Sequence, residues 1–184
     1  MSDYIDLSKY NNKWYQTGGS LFKRILWHLV NSLILKSYLI PISSVKVIAL
    51  RLFGAKIGRS VVIKPGVNIK YPWKLIIGNY CWIGENVWID NLEKVTLEDH
   101  VCLSQGAFLL CGNHDYKKVT FDLRVLPISI KSGAWIGAKS IVCPGVTVGS
   151  HAVLTVGSIA LNDLEPNYIY KGNPAVACKE RKIS

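Results

Sequence analysis

IGRSVV (57–62), IKPGVN (63–68), IGNYCW (77–82), IGENVW (83–88), LEDHVC (97–102) and LSQGAF (103–108) share one pattern. An aliphatic residue opens each block of six, and a small residue follows four places later. The pattern resumes with IKSGAW (130–135), IGAKSI (136–141), VCPGVT (142–147), VGSHAV (148–153) and LTVGSI (154–159). A helix repeats near 3.6 residues and a strand at 2, so a period of six belongs to neither. It fits three short flat faces per turn of a solenoid: a parallel β-helix of triangular section, an all-β-dominated fold.

The register sets the coils. Ile57, Ile63 and Ile69, then Ile77, Ile83 and Ile89, then Leu97, Leu103 and Leu109 step by six within each trio and by eight between trios. Coils therefore start at 57, 77 and 97 and, after an interruption, at 130 and 148. Five coils at strand spacing give a prism about 24 Å tall. The leading aliphatics fill an interior column, where β-branched side chains suit a packed, pleated surface. Glycines that follow the leading residue, such as Gly58, Gly78, Gly84, Gly137 and Gly149, are expected to relax the backbone there. The sixth position of each block points outward, yet it holds Trp82, Trp88, Phe108, Trp135, Ile141, Val153 and Ile159. A lone chain would expose these as an apolar strip, which predicts an oligomer or cover from the N-terminal segment.

The 184 residues divide into an N-terminal helical extension (1–56), the hexad β-helix (57–165) with an excursion at 111–127, and a C-terminal tail (166–184) expected to form a short helix. In the extension, Leu21, Ile25, Leu29 and Leu33 lie at helical spacing beside Phe22, Leu26 and Val30. Pro41 ends that helix, and a second covers 43–53. Lys23, Arg24, His28 and Lys36 break the apolar run, which argues against a membrane-spanning helix. Two roles suit the extension: a cap over the open end of the β-helix, and peripheral contact with a membrane surface through residues 1–55.

The net charge of +10 comes without a nucleic-acid motif and with its basic residues spread out. A phosphate-rich small molecule or an anionic membrane suits it better than nucleic acid. The first twenty residues are polar and show no cleavable signal. Five cysteines without zinc-ligand spacing read as reduced thiols. Together these predict a cytoplasmic protein, at the inner face of the membrane where the extension docks.

The single long break, CGNHDYKKVTFDLRVLP (111–127), leaves the prism as a loop, and such excursions from a rigid scaffold carry sites. Of four histidines, His28 belongs to the apolar helix, and His100 and His151 sit at outward turns. His114 alone stands at a loop root among polar neighbours, and it is the candidate catalytic residue. A three-histidine zinc site would place a second histidine five residues on, where Val119 stands; no metal is expected.

A hexad array interrupted by a Gly-Asn-His loop resembles the hexapeptide-repeat acyltransferases. The basic helical N-terminus and the GNHDY loop are most similar to the colanic acid biosynthesis acetyltransferase branch. The resemblance implies a left-handed coil and a homotrimer with active sites between subunits. It also implies transfer of acetyl from acetyl-CoA to a sugar hydroxyl, in surface polysaccharide biosynthesis. His114 would be the general base that strips the hydroxyl as it attacks the thioester directly, and a backbone N–H near the loop would meet the oxyanion. A backbone carbonyl is favoured over Asp115 as the group that orients His114, because adjacent residues rarely face each other.

By the same resemblance, Trp135 lies along the pantetheine arm, though interface packing is a competing role for it. The backbone of Ala138 and Gly157 bonds the arm's amides, and Lys179 and Arg181 meet the nucleotide phosphate with Lys171 nearby. Leu161-Asn162 departs from the Thr-Lys often found there. Acceptor contacts fall to Asp90, Asn91, Asn113 and Tyr116, of which Asp90 and Asn91 also suit a plain corner turn. A xenobiotic, amino-acid or soluble-sugar acceptor, a non-enzymatic scaffold and a γ-carbonic-anhydrase-like metal enzyme are the competing functions.

Overall fold

The computed structural model describes residues 4–183, and the hexads appear in it as three faces of stacked parallel strands. The first face holds Lys56–Ile57, Leu75–Ile77, Val95–Leu97, Ile128–Ile130 and Thr147–Val148. The second holds Val62–Ile63, Trp82–Ile83, Cys102–Leu103, Trp135–Ile136 and Val153–Leu154, and the third Asn68–Ile69, Trp88–Asp90, Phe108–Leu110, Ile141–Val142 and Ile159–Ala160. The register joins leading residue to leading residue: Ile57 pairs with Ile77, Ile77 with Leu97, Leu97 with Ile130 and Ile130 with Val148. From Ile63 to Ala160 every leading side chain is buried, as is every small residue from Val61 to Ser158 that follows one. Ile57 alone stays partly exposed, at the open end of the column.

The corner glycines are needed for a different reason than local flexibility. A Cβ on Gly58 would lie 2.7 Å from the backbone of Gly78, and one on Gly137 would lie 2.6 Å from the amide of Val156. These glycines let the next coil approach. The left-handed backbone falls two residues after this corner position, at Ser60, Tyr80, Asn86, His100, Lys139 and His151, and at Gly157.

Three other expectations are corrected. The stack does not stop at five coils: Leu164 bridges Val148 in parallel and Tyr168–Gly172 pairs in parallel with Val153–Leu154, adding an incomplete sixth coil that starts only four residues after Ala160 and keeps the six-residue step from Leu164 to Tyr170. The C-terminal tail is a hairpin and not a helix. Ala175–Glu180 folds back antiparallel on Tyr168–Gly172 through the Asn173-Pro174 turn, because the open edge of the second face offers a hydrogen-bonding partner that a helix would leave unpaired. Val153, expected outward, is buried between Trp135 and Ile169 in that face.

Helices α1 (Leu21–Val30) and α2 (Ser43–Leu52) lie against the first coil, with a π-helical turn, Asn31–Leu35, extending α1. Ser20 caps α1, its Oγ accepting from Lys23 N–H. Inward, Trp27 donates to the carbonyl of Ile69, Asn31 donates to Asn68 Oδ1, and Ser43 Oγ accepts from Ile63 N–H. Lys46 of α2 is fully buried, and its Nζ has no hydrogen-bond partner among the described residues. Burial lowers its pKa below the usual lysine value.

Ahead of α1, residues 4–19 form an arm along the prism: Asp6 N–H bonds Val119 in the loop, and Tyr15 Oη donates to the carbonyl of Leu92. All five cysteines are unpaired.

Candidate active site

The excursion is an ordered hairpin, Gly112–His114 pairing antiparallel with Leu123–Val125. His114 Nδ1 lies 2.9 Å from the carbonyl oxygen of Phe121. A carbonyl only accepts, so the bond requires the proton on Nδ1 and leaves the lone pair of the neutral ring on Nε2. Nε2 makes no hydrogen bond among the described residues. Phe121 sits at φ +48°, where bulky residues rarely go, and its ring stacks flat on His114 at 4.4 Å. Tyr10 of the N-terminal arm covers the imidazole from another side at 5.7 Å. With Leu7 these residues line a shallow cleft of about 280 Å³. Asp115 is turned elsewhere: its carboxylate accepts from Lys117 N–H. The orienting group is therefore the Phe121 carbonyl.

A second concave feature runs along the outward side of the second face. Two adjoining grooves of about 310 and 350 Å³ share Ser104, Gln105 and Trp135. Trp135 is half-exposed and held by its Nε1–H donating to Ser104 Oγ at 2.8 Å. Ala138 lines the same groove, and Gly157, with nothing within 4 Å of its Cβ position, borders open space.

At this corner the stacking bonds run from the third corner residue to the carbonyl of the second in the coil below: Asn86 to Pro65, Gly106 to Glu85, Lys139 to Gln105 and Gly157 to Ala138. The N–H groups of Glu85, Gln105, Ala138 and Val156 bond nothing among the described residues. The corner between the first and second faces differs, because there side chains take several of the equivalent amides: Asn79 Oδ1 accepts from Arg59, Asp99 Oδ1 from Asn79 and Glu98 from Ser132. One rail of amides is thus left open beside Trp135. The N–H of Gly157 is not part of it, being spent on Ala138; what Gly157 leaves open is its carbonyl.

The remaining candidates are unevenly placed. Lys179 pairs with Ile169, and Arg181 donates to the carbonyls of Gly133 and His151, so both lie at the end of the hairpin away from Ala138. Lys171 lies next to Gly172, whose N–H bonds Ser158 Oγ at the open corner. Asn113 and Tyr116 are exposed on the loop beside His114. Asn91 does not face a ligand. It is fully buried, accepting from Tyr71 N–H at 2.9 Å and donating to Tyr71 C=O at 2.6 Å, so it holds a corner to the coil before.

Asp90 is nearly buried, with Oδ1 2.9 Å from Lys70 Nζ in an ion pair that lacks hydrogen-bond geometry. It lines a cavity of about 270 Å³ beneath α1 with Arg24, His28, Tyr71 and Trp88. Leu7, Tyr10, Phe121 and Arg24 had no mark in the sequence as site residues; the −1 to +7 neighbourhood of His114 was the only signal for Phe121.

Within one chain, the cleft at His114 and the Trp135 groove share no lining residue. The groove opens where the third face begins, and the hairpin leaves where that face ends.

No family profile matches the chain. It is 38% identical over 176 residues to the putative colanic acid biosynthesis acetyltransferase WcaF of Escherichia coli strain K12, covering 96% of this chain and 97% of that protein. The galactoside O-acetyltransferase of the same organism is 28% identical over 129 residues, 68% of this chain and 64% of its own length. Among solved structures, the Vibrio cholerae hexapeptide-repeat acetyltransferase VCA0836, complexed with acetyl coenzyme A, superposes with a TM-score of 0.79 at 20% identity, covering 88% of each chain. A galactoside acetyltransferase in complex with coenzyme A gives 0.77 at 25% identity, over 88% of this chain and 82% of the other. Near-full-length identity at this level, on a β-helix built from the same hexads, makes this chain an acyltransferase that belongs to the hexapeptide-repeat acetyltransferases, in the branch of the colanic acid biosynthesis acetyltransferases.

Proposed function

We propose that the protein transfers acetyl from acetyl-CoA to a sugar hydroxyl in one direct step, with His114 as general base, in the building of a surface polysaccharide. The observation that carries this reading is the Nδ1 bond to the Phe121 carbonyl, which leaves Nε2 as a free acceptor at a cleft. Nε2 takes the hydroxyl proton while the oxygen attacks the thioester carbonyl; collapse of the adduct then expels the CoA thiolate, which the imidazolium reprotonates. The groove suits a pantetheine arm: an indole face, aliphatic walls, and open amides that match the arm's own amide groups. Lys139 belongs to the open corner itself, Lys64 lines the adjoining groove and Lys171 lies next to Gly172 at the same corner, whereas Lys179 and Arg181 serve a phosphate only if the nucleotide bends toward the far end of the hairpin.

The site forms between subunits of a homotrimer. Two observations support this: the separation of the two clefts within one chain, and the outward Trp82, Trp88 and Trp135, each about half-exposed. The candidate acceptor contacts are Asp90, in the cavity beneath α1, and Asn113 and Tyr116, exposed on the loop beside His114. We read the acceptor as a lipid-linked glycan met at the cytoplasmic leaflet, which is where the N-terminal segment contacts the membrane.

Replacing His114 with Ala is expected to cost about 10²- to 10⁴-fold in turnover, measured as thiol release from acetyl-CoA against a panel of glycan acceptors, with product mass. Unchanged turnover in H114A rules out the general base.

A further inference from the structure

We infer that the outward face of α1, continued onto α2, is a docking surface for an anionic lipid bilayer. The helix is amphipathic the wrong way round for a free-standing protein. Its inner side is closed by Trp27, Asn31 and Leu35 against the first coil, yet the side turned to solvent carries Leu21, Phe22, Ile25, Leu26, Leu29 and Leu33, each 40–76% exposed. Leu39 and Leu52 extend the patch and are more exposed still. Contiguous apolar surface of this kind marks an interaction site.

Charge identifies the occupant. Residues 7–84 contain twelve of the 22 Lys and Arg and none of the twelve Asp and Glu. The net charge is therefore +12 over this stretch and −2 over the rest of the chain, so the whole positive excess lies on the part that bears the apolar face. Lys36 and Arg51 are exposed beside the patch, and His28 stands at its edge. Two copies meeting through this face would set cations against cations. An anionic bilayer satisfies both halves of the surface: acyl chains accept the leucines and phenylalanine, and headgroups accept the lysines and arginines. No described helix is long and apolar enough to cross a membrane, so the contact lies at the interface. This deepens the reading of the acceptor as lipid-linked, and it fails separately from that reading, because lipid binding is scored with no acetyl transfer.

The test is flotation of the full-length protein with vesicles of phosphatidylcholine, with and without phosphatidylglycerol, alongside the F22E/L29E double variant. Both substituted positions are exposed, so folding is not at stake. The expected result is flotation with the anionic vesicles only, weakened by added salt, and reduced about tenfold or more in the double variant. Three results overturn the inference. They are no flotation with anionic vesicles, equal flotation with neutral ones, and a double variant that still floats. A fourth is a fall in the assembly's mass by sedimentation when Phe22 and Leu29 are changed, which assigns the face to contact between copies. Thiol release with a water-soluble acceptor is expected to be the same in both proteins.

Discussion

A complementation experiment tests whether the site is shared between subunits. His114 hangs beyond the end of the third face, while Ala138 stands at its start. Phe108 pairs with Ile141, which sets Ala138 level with Gln105, so about nine residues of chain separate the level of Ala138 from His114, a reach of up to about 30 Å at 3.3 Å per residue. In the proposed trimer, a pantetheine thioester at Ala138 would meet the histidine of another subunit. Two variants, each inactive alone, make this visible. H114A removes the base, and A138W fills the groove of about 350 Å³ while leaving the loop intact. In a cyclic trimer containing both, whether two-to-one or one-to-two, one junction in three joins an intact groove to an intact histidine in the required direction.

Co-expression with two tags and sequential affinity purification isolates those mixed trimers. Their thiol release should reach about one third of wild type, against roughly 1% or less for H114A alone. Mixed trimers no more active than either parent refute the shared site and return His114 and the groove to one chain.

Three further outcomes follow from named contacts. Lys46→Met should raise stability by about 1–3 kcal/mol, since it removes a buried amine that has no partner. Because burial lowers the folded-state pKa, the wild type gains stability as pH rises from that depressed value toward the unfolded lysine value. The advantage of Lys46→Met in thermal scans should accordingly shrink toward high pH, and a constant advantage contradicts the assignment. Asn91→Ala strands both backbone groups of Tyr71, costing about 2–4 kcal/mol and roughly 5–15 °C in melting temperature; an unaltered melt with a raised acceptor KM would return Asn91 to the binding site. Tyr10→Ala uncovers one side of the imidazole and should lower kcat about tenfold through loss of positioning, while the KM for acetyl-CoA stays put.

The hexads made the prism legible because each leading aliphatic has one destination, the interior column, and a missed residue would throw the next coil out of register. The requirement on the corner glycines was not legible. What excludes a side chain at Gly58 is the backbone of Gly78, twenty residues on, and local conformation carries no trace of that contact. Asn91 misled in the same way. A buried asparagine bonded to a corner amide and an asparagine reaching for a sugar look alike in sequence, and only the spacing of twenty from Tyr71, one full coil, pointed to the former. The tail VACKERK has helical composition, but an unpaired sheet edge outweighs propensity once the sixth coil is in place. His114 was legible from its loop, whereas Tyr10 was not, since more than a hundred residues separate the two rings.

Asn79, Asp99, Glu98, Asn91 and Asp163 play the same structural role. Each turns a side-chain oxygen onto a backbone amide that the parallel ladder leaves without a partner. Wherever such an oxygen is present, the corner is finished and offers a ligand nothing. The corner at Ala138 lacks them, with Gln105 and Val156 standing where an Asp or Asn would close the row. Exposed amides keep water as their partner and cost the fold little, so leaving one row open is thermodynamically mild. It also supplies a line of donors one coil apart, fixed by the most rigid part of the molecule. In the proposed reading, this rail holds the donor thioester and the mobile chemistry is delegated to a hairpin from elsewhere. The β-helix can then keep its regular stack while the loop and the N-terminal arm vary with the acceptor.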